Sequence, residues 1–296
     1  MERPQSVFTA DADPCGEDEF ERLRRRIEAL ERIERNLFDE SDASARDVGA
    51  RDRTRTLRAR LEAENEALYA ELRDDIRRSG RSARLLEWLP ALVSDVACAG
   101  SAQSDRYDLL DDLVGGLLQL EPPACDVAVP ADERVFYQPT PARHVFDLIA
   151  RSALDERDVL VDLGSGMGHV TLLVSICTLA RTVGIEIEPA YVDSARRCAE
   201  RLNLTRAAFV QCDARQADFS TGNIFYLYTP FTGTILRSVL DALAQQAQRR
   251  RIRVCTLGPC TTVVAREAWL DVEGSVDPQR ISVFRSGAAQ LARERS

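Results

Sequence analysis

The sequence predicts an α/β protein: a seven-stranded, mostly parallel sheet with helices on both faces, preceded by an all-α N-terminal region. Three observations carry this. Residues 159–170, VLVDLGSGMGHV, read as a buried strand passing straight into a glycine-rich turn and a helix. Short apolar runs then alternate with helix-compatible stretches as far as Phe284. The first third differs, because its apolar residues recur every three or four positions, which is the helical period.

Length and charge set the limits. With 296 residues and 45% hydrophobic content the chain can bury a substantial core. It holds no run of about 18 apolar residues and its first ten lack the layout of a secretory signal, so no membrane span and a cytoplasmic location are expected. The formal net charge of −9 opposes free nucleic acid as a partner. The eight cysteines are scattered, with only His144 and His169 as imidazoles, so they read as reduced thiols and no metal site is expected.

Residues 1–16 are polar, with Pro4, Pro14 and Gly16, and a disordered N-terminus is expected. From Glu17 onward Phe20, Leu23, Ile27, Leu30, Ile33 and Leu37 form one stripe on a helix. A second helix runs to about Ser79 on Leu57, Leu61, Leu68, Leu72 and Ile76, and Gly80 stops it. Two such helices with a short connection favour an antiparallel hairpin. Residues 84–89 read as a short helix halted by Pro90, 91–98 as another, and 105–119 as a third stripe through Leu109, Leu110, Leu113, Val114 and Leu117. The helical domain is therefore placed at 17–125, the sheet domain at 131–288 and a polar tail at 289–296. The charged faces of the first two helices read as solvated surface, with a homodimer through them as the alternative.

Residues 136–141, FYQPTP, set two prolines one residue apart ahead of a helix built on Val145, Phe146, Leu148 and Ile149. Such a stiff segment serves as a linker or as a fixed lip over a neighbouring pocket. The strand at 159 ends in Asp162-Leu163-Gly164-Ser165-Gly166-Met167-Gly168, where glycines allow positive φ and close ligand approach. This G-x-G-x-G spacing suits a dinucleotide pyrophosphate poorly. Residues 169–179 read as a helix and 181–188, RTVGIEIE, as the second strand. There Glu186, followed by Ile187, can accept hydrogen bonds from both hydroxyls of a ribose. The helix at 189–204 leads to a strand at 207–212 closed by Asp213-Ala214. Asp213 can accept from an adenine amine and the Ala214 N–H can meet a ring nitrogen, with Asp218 as the nearby competitor.

Residues 223–231, NIFYLYTPF, form the fourth strand and its exit. Alternation sends Ile224, Tyr226 and Tyr228 to one face and Phe225 and Leu227 to the other. Tyr228 and Phe231 then emerge at the carboxyl edge, either as a desolvated aromatic slot or as core. A helix at 235–247, a basic run at 249–251 read as a solvated helix end, a strand at 252–257 and a final pair at 269–272 and 281–284 complete the sheet.

The order FYQPTP, helix, VDLGSGMGHV, VGIEIEP and an aromatic exit resembles the class I S-adenosylmethionine-dependent methyltransferases over about residues 137–286. Within them it is similar to the non-SET histone lysine methyltransferases of the telomeric-silencing-disruptor type, and to the mitochondrial lysine methyltransferases of ATP synthase subunit c. The resemblance implies a Rossmann-like seven-stranded methyltransferase sheet, S-adenosyl-L-methionine as cofactor and a protein or small-molecule methyl acceptor. It also implies site residues. Tyr137 and Thr140 would hold the methionine end, Asp162, Gly164, Ser165 and Gly166 the glycine loop, Glu186 with Ile187 the ribose, and Asp213 with Ala214 the adenine. Tyr228, which would also touch the cofactor, would form the acceptor slot with Tyr137 and Phe231. Two departures bear on the acceptor. Leu227-Tyr228 stands where the histone family has paired asparagines, and Tyr228-Thr229-Pro230-Phe231 lacks the polar residue with which base amino-methyltransferases grip an amine.

A protein lysine amine is the acceptor slightly preferred, with small-molecule O- or N-methylation as the alternative. A non-catalytic adenosyl-binding scaffold is a second alternative, opposed by the intact loop, Glu186 and Asp213, and a nicotinamide oxidoreductase a weaker third. All 39 basic residues are arginine. Codon usage explains that plainly; the sharper reading is that an enzyme acting on amines gains by offering none. A lysine acceptor must first lose its proton, at a cost of about 4 to 5 kcal/mol at neutral pH unless an apolar slot lowers its pKa. His169 reads as structural, and a carboxylate acceptor would need no base.

Overall fold

The stripe expected of the first helix is buried: in α1 (Pro14–Asp39) Phe20, Leu23, Ile27 and Ile33 face inward. The helix starts at Pro14, earlier than expected, because the fixed φ and missing N–H of proline cost nothing in a first turn. α2 (Val48–Ser79) runs antiparallel to it. Arg26 Nε donates to Asn65 Oδ1 at 2.6 Å and Arg58 reaches Glu34 at 3.0 Å, so numbering falls along one helix as it rises along the other. α2 stops as Gly80 takes φ +71°. Its stripe is fully buried only from Leu68 onward, and Leu61 is half-buried. Leu57 is 48% exposed, on turns lined by the Arg58–Glu62 and Arg60–Glu64 pairs. This computed structural model describes residues 14–39, 48–98, 109–121 and 137–287. The expected disordered N-terminus before Pro14, residues 105–108, the boundary at 125–131, Phe136 and the tail lie outside them.

Pro90 does not halt a helix, contrary to expectation: α3 (Ala83–Cys98) passes through it. Trp88 and Leu92, on either side of the proline, are 1% and 0% exposed. Burial of that face outweighs the roughly 3 kcal/mol that an interior proline costs. α4 (Leu109–Leu118) buries Leu110, Leu113, Val114, Leu117 and Leu118. No helix among the described residues is long and apolar enough to cross a membrane.

β1 (Val159–Leu163) is buried at all five positions, as the centre of a two-faced sheet must be. It pairs in parallel with β2 (Arg181–Glu186) and β4 (Ile224–Tyr228). β3 (Ala207–Gln211) extends the sheet past β2, and β5 (Arg253–Leu257) past β4. The hairpin of β6 (Leu270–Glu273) and β7 (Ser282–Ser286) closes the far edge, giving the order β3-β2-β1-β4-β5-β7-β6 with β7 antiparallel to both neighbours. The expected alternation along β4 holds. Ile224 and Tyr226 pack with α5 (Ala142–Ser152), α6 (His169–Cys177) and α7 (Pro189–Arg201), while Phe225 and Leu227 pack with α8 (Gly233–Arg249) and α9 (Cys260–Val264).

α5 carries the helical region. Nine of its 11 residues are buried, because one side meets the sheet and the other meets α3 and α4 in a shared core. Polar clasps add to this contact. The last carbonyls of a helix lack intrahelical donors, and α7 and the residues after it supply them. Arg201 donates to Leu118 O at 2.6 Å and Gln119 O at 2.9 Å, Ser194 Oγ to Glu121 O at 2.7 Å, and Asn203 Nδ2 to Arg77 O at 3.1 Å.

Candidate functional site

β1, β2 and β4 end level, with Leu163 in register with Ile185 and Leu227. The chain leaves β1 toward β2 on one side and reaches β4 on the other, so the connections diverge and a crevice opens above β1. Gly164 and Gly166 take φ +74° and +52° there, and the N–H groups of Gly164 and Ser165 donate to Ile185 O at 2.9 and 3.0 Å. The turn is hemmed in from two sides. A Cβ on Gly164 would lie 2.2 Å from Pro230 Cβ, and one on Gly166 would lie 2.0 Å from the Tyr137 ring. The proline segment therefore does reach over the glycine turn, and the exit of β4 faces it.

Glu186 joins the turn to the end of β2. Its Oε2 accepts from Gly166 N at 2.9 Å, and its Oε1 accepts from Ile187 N at 2.8 Å and Glu188 N at 2.9 Å. An ionised carboxylate offers about four acceptor positions, so one stays open. Beside it Ile187 is 37% exposed, an apolar surface at the mouth of the crevice. Ser165 Oγ is buried with no hydrogen-bond partner in the structure.

Asp162 points to the α6 face, where Thr171 Oγ1 donates to its Oδ2 at 3.0 Å. Burial pushes this carboxyl up to about 7, and the nearby Glu186 adds to the rise. Thr140 lies below the lip, its hydroxyl 3.2 Å from that of buried Tyr226. Tyr137 OH lies 3.2 Å from Nδ1 of His169, the first residue of α6, and its ring stacks tilted against Tyr191 at 4.7 Å. Burial holds His169 down at about 4, so its imidazole is neutral at pH 7. His144 is buried on α5.

At the far end of the crevice Asp213 opens the 3₁₀ turn Ala214–Gln216, accepting from Arg215 N at 2.9 Å, and its carboxylate is paired with the Arg215 guanidinium at 2.6 Å. Tyr228 is half-buried at the end of β4, whereas Phe231 is 6% exposed within the core on the α8 side. Between them Thr229 has φ +42°, held by its hydroxyl, which donates to Leu257 O at 3.2 Å and accepts from Cys260 N at 3.1 Å. Sequence reasoning missed this brace, and no local pattern announces it. It also missed Arg250, read as part of a solvated helix end. That guanidinium turns inward to Phe219 O at 2.5 Å and to Gly222 O, and so fixes the approach to β4.

Residues 154–248 match the family model described as a methyltransferase domain. A 75-residue stretch is 37% identical to the trans-aconitate 2-methyltransferase of Enterobacter sp. (strain 638). That stretch is 25% of this chain and 28% of that protein, so the chain spans little more than a quarter of this relative's length. Among solved structures, the chain is similar to an RNA methyltransferase from Salinibacter ruber in complex with S-adenosyl-L-homocysteine, at 28% identity and TM-score 0.41, covering 50% of this chain and 92% of that one. It is also similar to a SAM-dependent methyltransferase from Aquifex aeolicus, at 14% identity and TM-score 0.39, covering 48% and 88%. Residues 154–248 thus match a methyltransferase-domain model and carry β1 to β4 of the seven-stranded sheet, and S-adenosyl-L-methionine is the cofactor that this match implies. The open acceptor position on Glu186, the glycine backbone beside it and the unpartnered Ser165 hydroxyl fit an adenosyl group.

Proposed function

We propose that the protein transfers a methyl group from S-adenosyl-L-methionine to a nucleophilic acceptor, with a protein lysine amine as the preferred one. The observation that carries the reading is the shared focus of Glu186 and the glycine turn, joined by the 2.9 Å bond from Gly166 N to Glu186 Oε2. Glu186 takes the ribose, with Ile187 against the adenosyl ring. Asp213 and Ala214 take the adenine edge. Gly164, Ser165 and Gly166 let the ligand approach backbone, Asp162 braces that loop through α6, and Tyr137 closes over it with Thr140 anchoring the lip from below. When bound, the cofactor supplies an electrophilic methyl group on a sulfonium.

Tyr228, at the level end of β4, lines the acceptor slot and excludes water from it, with Phe231 supporting that wall from the core. His169, neutral and hydrogen-bonded to Tyr137, serves the lip rather than proton removal. An amine acceptor must therefore lose its proton by desolvation, for which an apolar aromatic slot is suited. The match to a trans-aconitate 2-methyltransferase favours a second reading, a small-molecule carboxylate that arrives already ionised and needs no base.

Calorimetry with S-adenosylhomocysteine tests the cofactor assignment. Wild type should bind, and Glu186→Ala should bind at least about tenfold more weakly, the loss of one charge-assisted hydrogen bond and of the brace on the glycine turn. Equal affinity in the two proteins would sink the assignment. Incubation with methyl-labelled cofactor and fractionated cell extract then separates the acceptors: label in protein supports lysine, whereas label confined to small molecules rejects it.

A further inference from the structure

We propose that Asp111, on α4 of the helical region, is a positioning residue for the cofactor site, because its carboxylate caps α5 and so sets the 137–141 lip over the glycine turn. The inference takes from the methyl-transfer reading only what the lip closes over.

Three hydrogen bonds of the lip and of the helix it leads into bear on its position. Tyr137 OH reaches His169 Nδ1 at 3.2 Å and Thr140 Oγ1 reaches Tyr226 OH at 3.2 Å, both within the sheet region. The third is shorter than these two and comes from the helical region: Ala142 N donates to Asp111 Oδ1 at 2.7 Å. α5 needs an outside cap. Its N-cap residue is Pro141, which makes no side-chain cap bond, so the first N–H of the helix would otherwise meet no acceptor at a buried end. Asp111 supplies that acceptor together with a negative charge at the positive end of the helix.

The chemistry of the lip then carries the effect to the site. Pro139 and Pro141 have fixed φ, so a shift of Ala142 is transmitted along the segment instead of being absorbed in it. At its other end the Tyr137 ring packs on Gly166 so closely that a Cβ there would lie 2.0 Å from it. Gly166 N is in turn the donor to Glu186. α4 thus reaches Glu186 through three contacts joined by the lip: Asp111 to Ala142, Tyr137 to Gly166, and Gly166 to Glu186.

The test uses the full chain and two readouts. Asp111→Ala should weaken S-adenosylhomocysteine binding about three- to thirtyfold, the range spanned by loss of a helix cap. Asp111→Asn, which keeps an acceptor, should recover most of the affinity. Should Asp111→Ala not fold, Asp111→Glu carries the test: it keeps the charge but displaces the acceptor by one methylene, and weaker binding is expected. Binding is measured well below each variant's melting temperature. Non-additive losses in the Asp111→Ala/Tyr137→Ala pair are expected, since both act through one lip. The second readout needs no ligand. Amide exchange at residues 164–168 should speed up in Asp111→Ala. A lower melting temperature with unchanged affinity and unchanged exchange at 164–168 would reduce Asp111 to an ordinary cap and overturn the proposal, as would full additivity with Tyr137→Ala. If wild type fails to bind S-adenosylhomocysteine, the methyl-transfer reading falls, and the exchange data still decide the role of Asp111.

Discussion

Replacing Asp162 by Asn should make the protein progressively more stable than wild type as pH rises toward neutrality. Asp162 is 3% exposed at the centre of the sheet, and burial raises its carboxyl from 3.8 to about 7 against the opposing hydrogen bonds from Thr171. Below pH 3.8 the group is protonated in both the folded and the unfolded chain, and its contribution to stability is fully present. Between that value and about 7 the unfolded chain ionises while the folded one holds its proton, so stability is lost at about 1.36 kcal/mol per pH unit. Over about three units the loss reaches up to about 4 kcal/mol. Asn is neutral throughout and still offers Thr171 an oxygen. Urea denaturation of both proteins without ligand, across about pH 4 to pH 8, measures the difference. It should shift in favour of the Asn variant up to about pH 7 and then level off. A difference that stays flat over the whole range would show that Asp162 ionises normally when folded and would refute the reasoning.

Two further substitutions probe packing. Gly116→Ala places a Cβ 2.2 Å from the Tyr69 ring, which is 7% exposed between α2 and α4, so a loss of about 1 to 3 kcal/mol is expected in denaturant melts. An unchanged midpoint would mean that the two helices separate freely. Gly166→Ala combines a 2.0 Å approach to Tyr137 with a positive φ of +52°. It should displace the lip and abolish measurable S-adenosylhomocysteine binding while the far-ultraviolet spectrum stays native; wild-type affinity in that variant would remove Tyr137 from the site.

Much of the site could be read from the sequence because its parts are local. A strand buried on both faces, a glycine turn and an acid at the next strand end each announce themselves within a few residues, and parallel topology then brings Gly166 and Glu186 together. The strand alternation that separates Tyr226 from Phe225 is likewise a period-two property of the chain itself. Tertiary neighbours decided the rest. Pro90 breaks a helix in isolation, but burial of Trp88 and Leu92 carries α3 through it. Leu57 continues a stripe by period and stays exposed, since a stripe is buried only where another element lies against it. Arg250 sits in a basic run that looks solvated, and only the folded chain offers it the carbonyls of Phe219 and Gly222. Asp111 and Ala142 are 31 residues apart, and nothing in either segment names the other. The sequence alone determined the sheet, the turn and the acid that serves it, because these rest on short-range backbone geometry and hydrophobic period. The structure decided how the helical region grips that sheet, because the grip consists of single donors meeting single acceptors across long loops, and such pairs follow from where the chain has already folded.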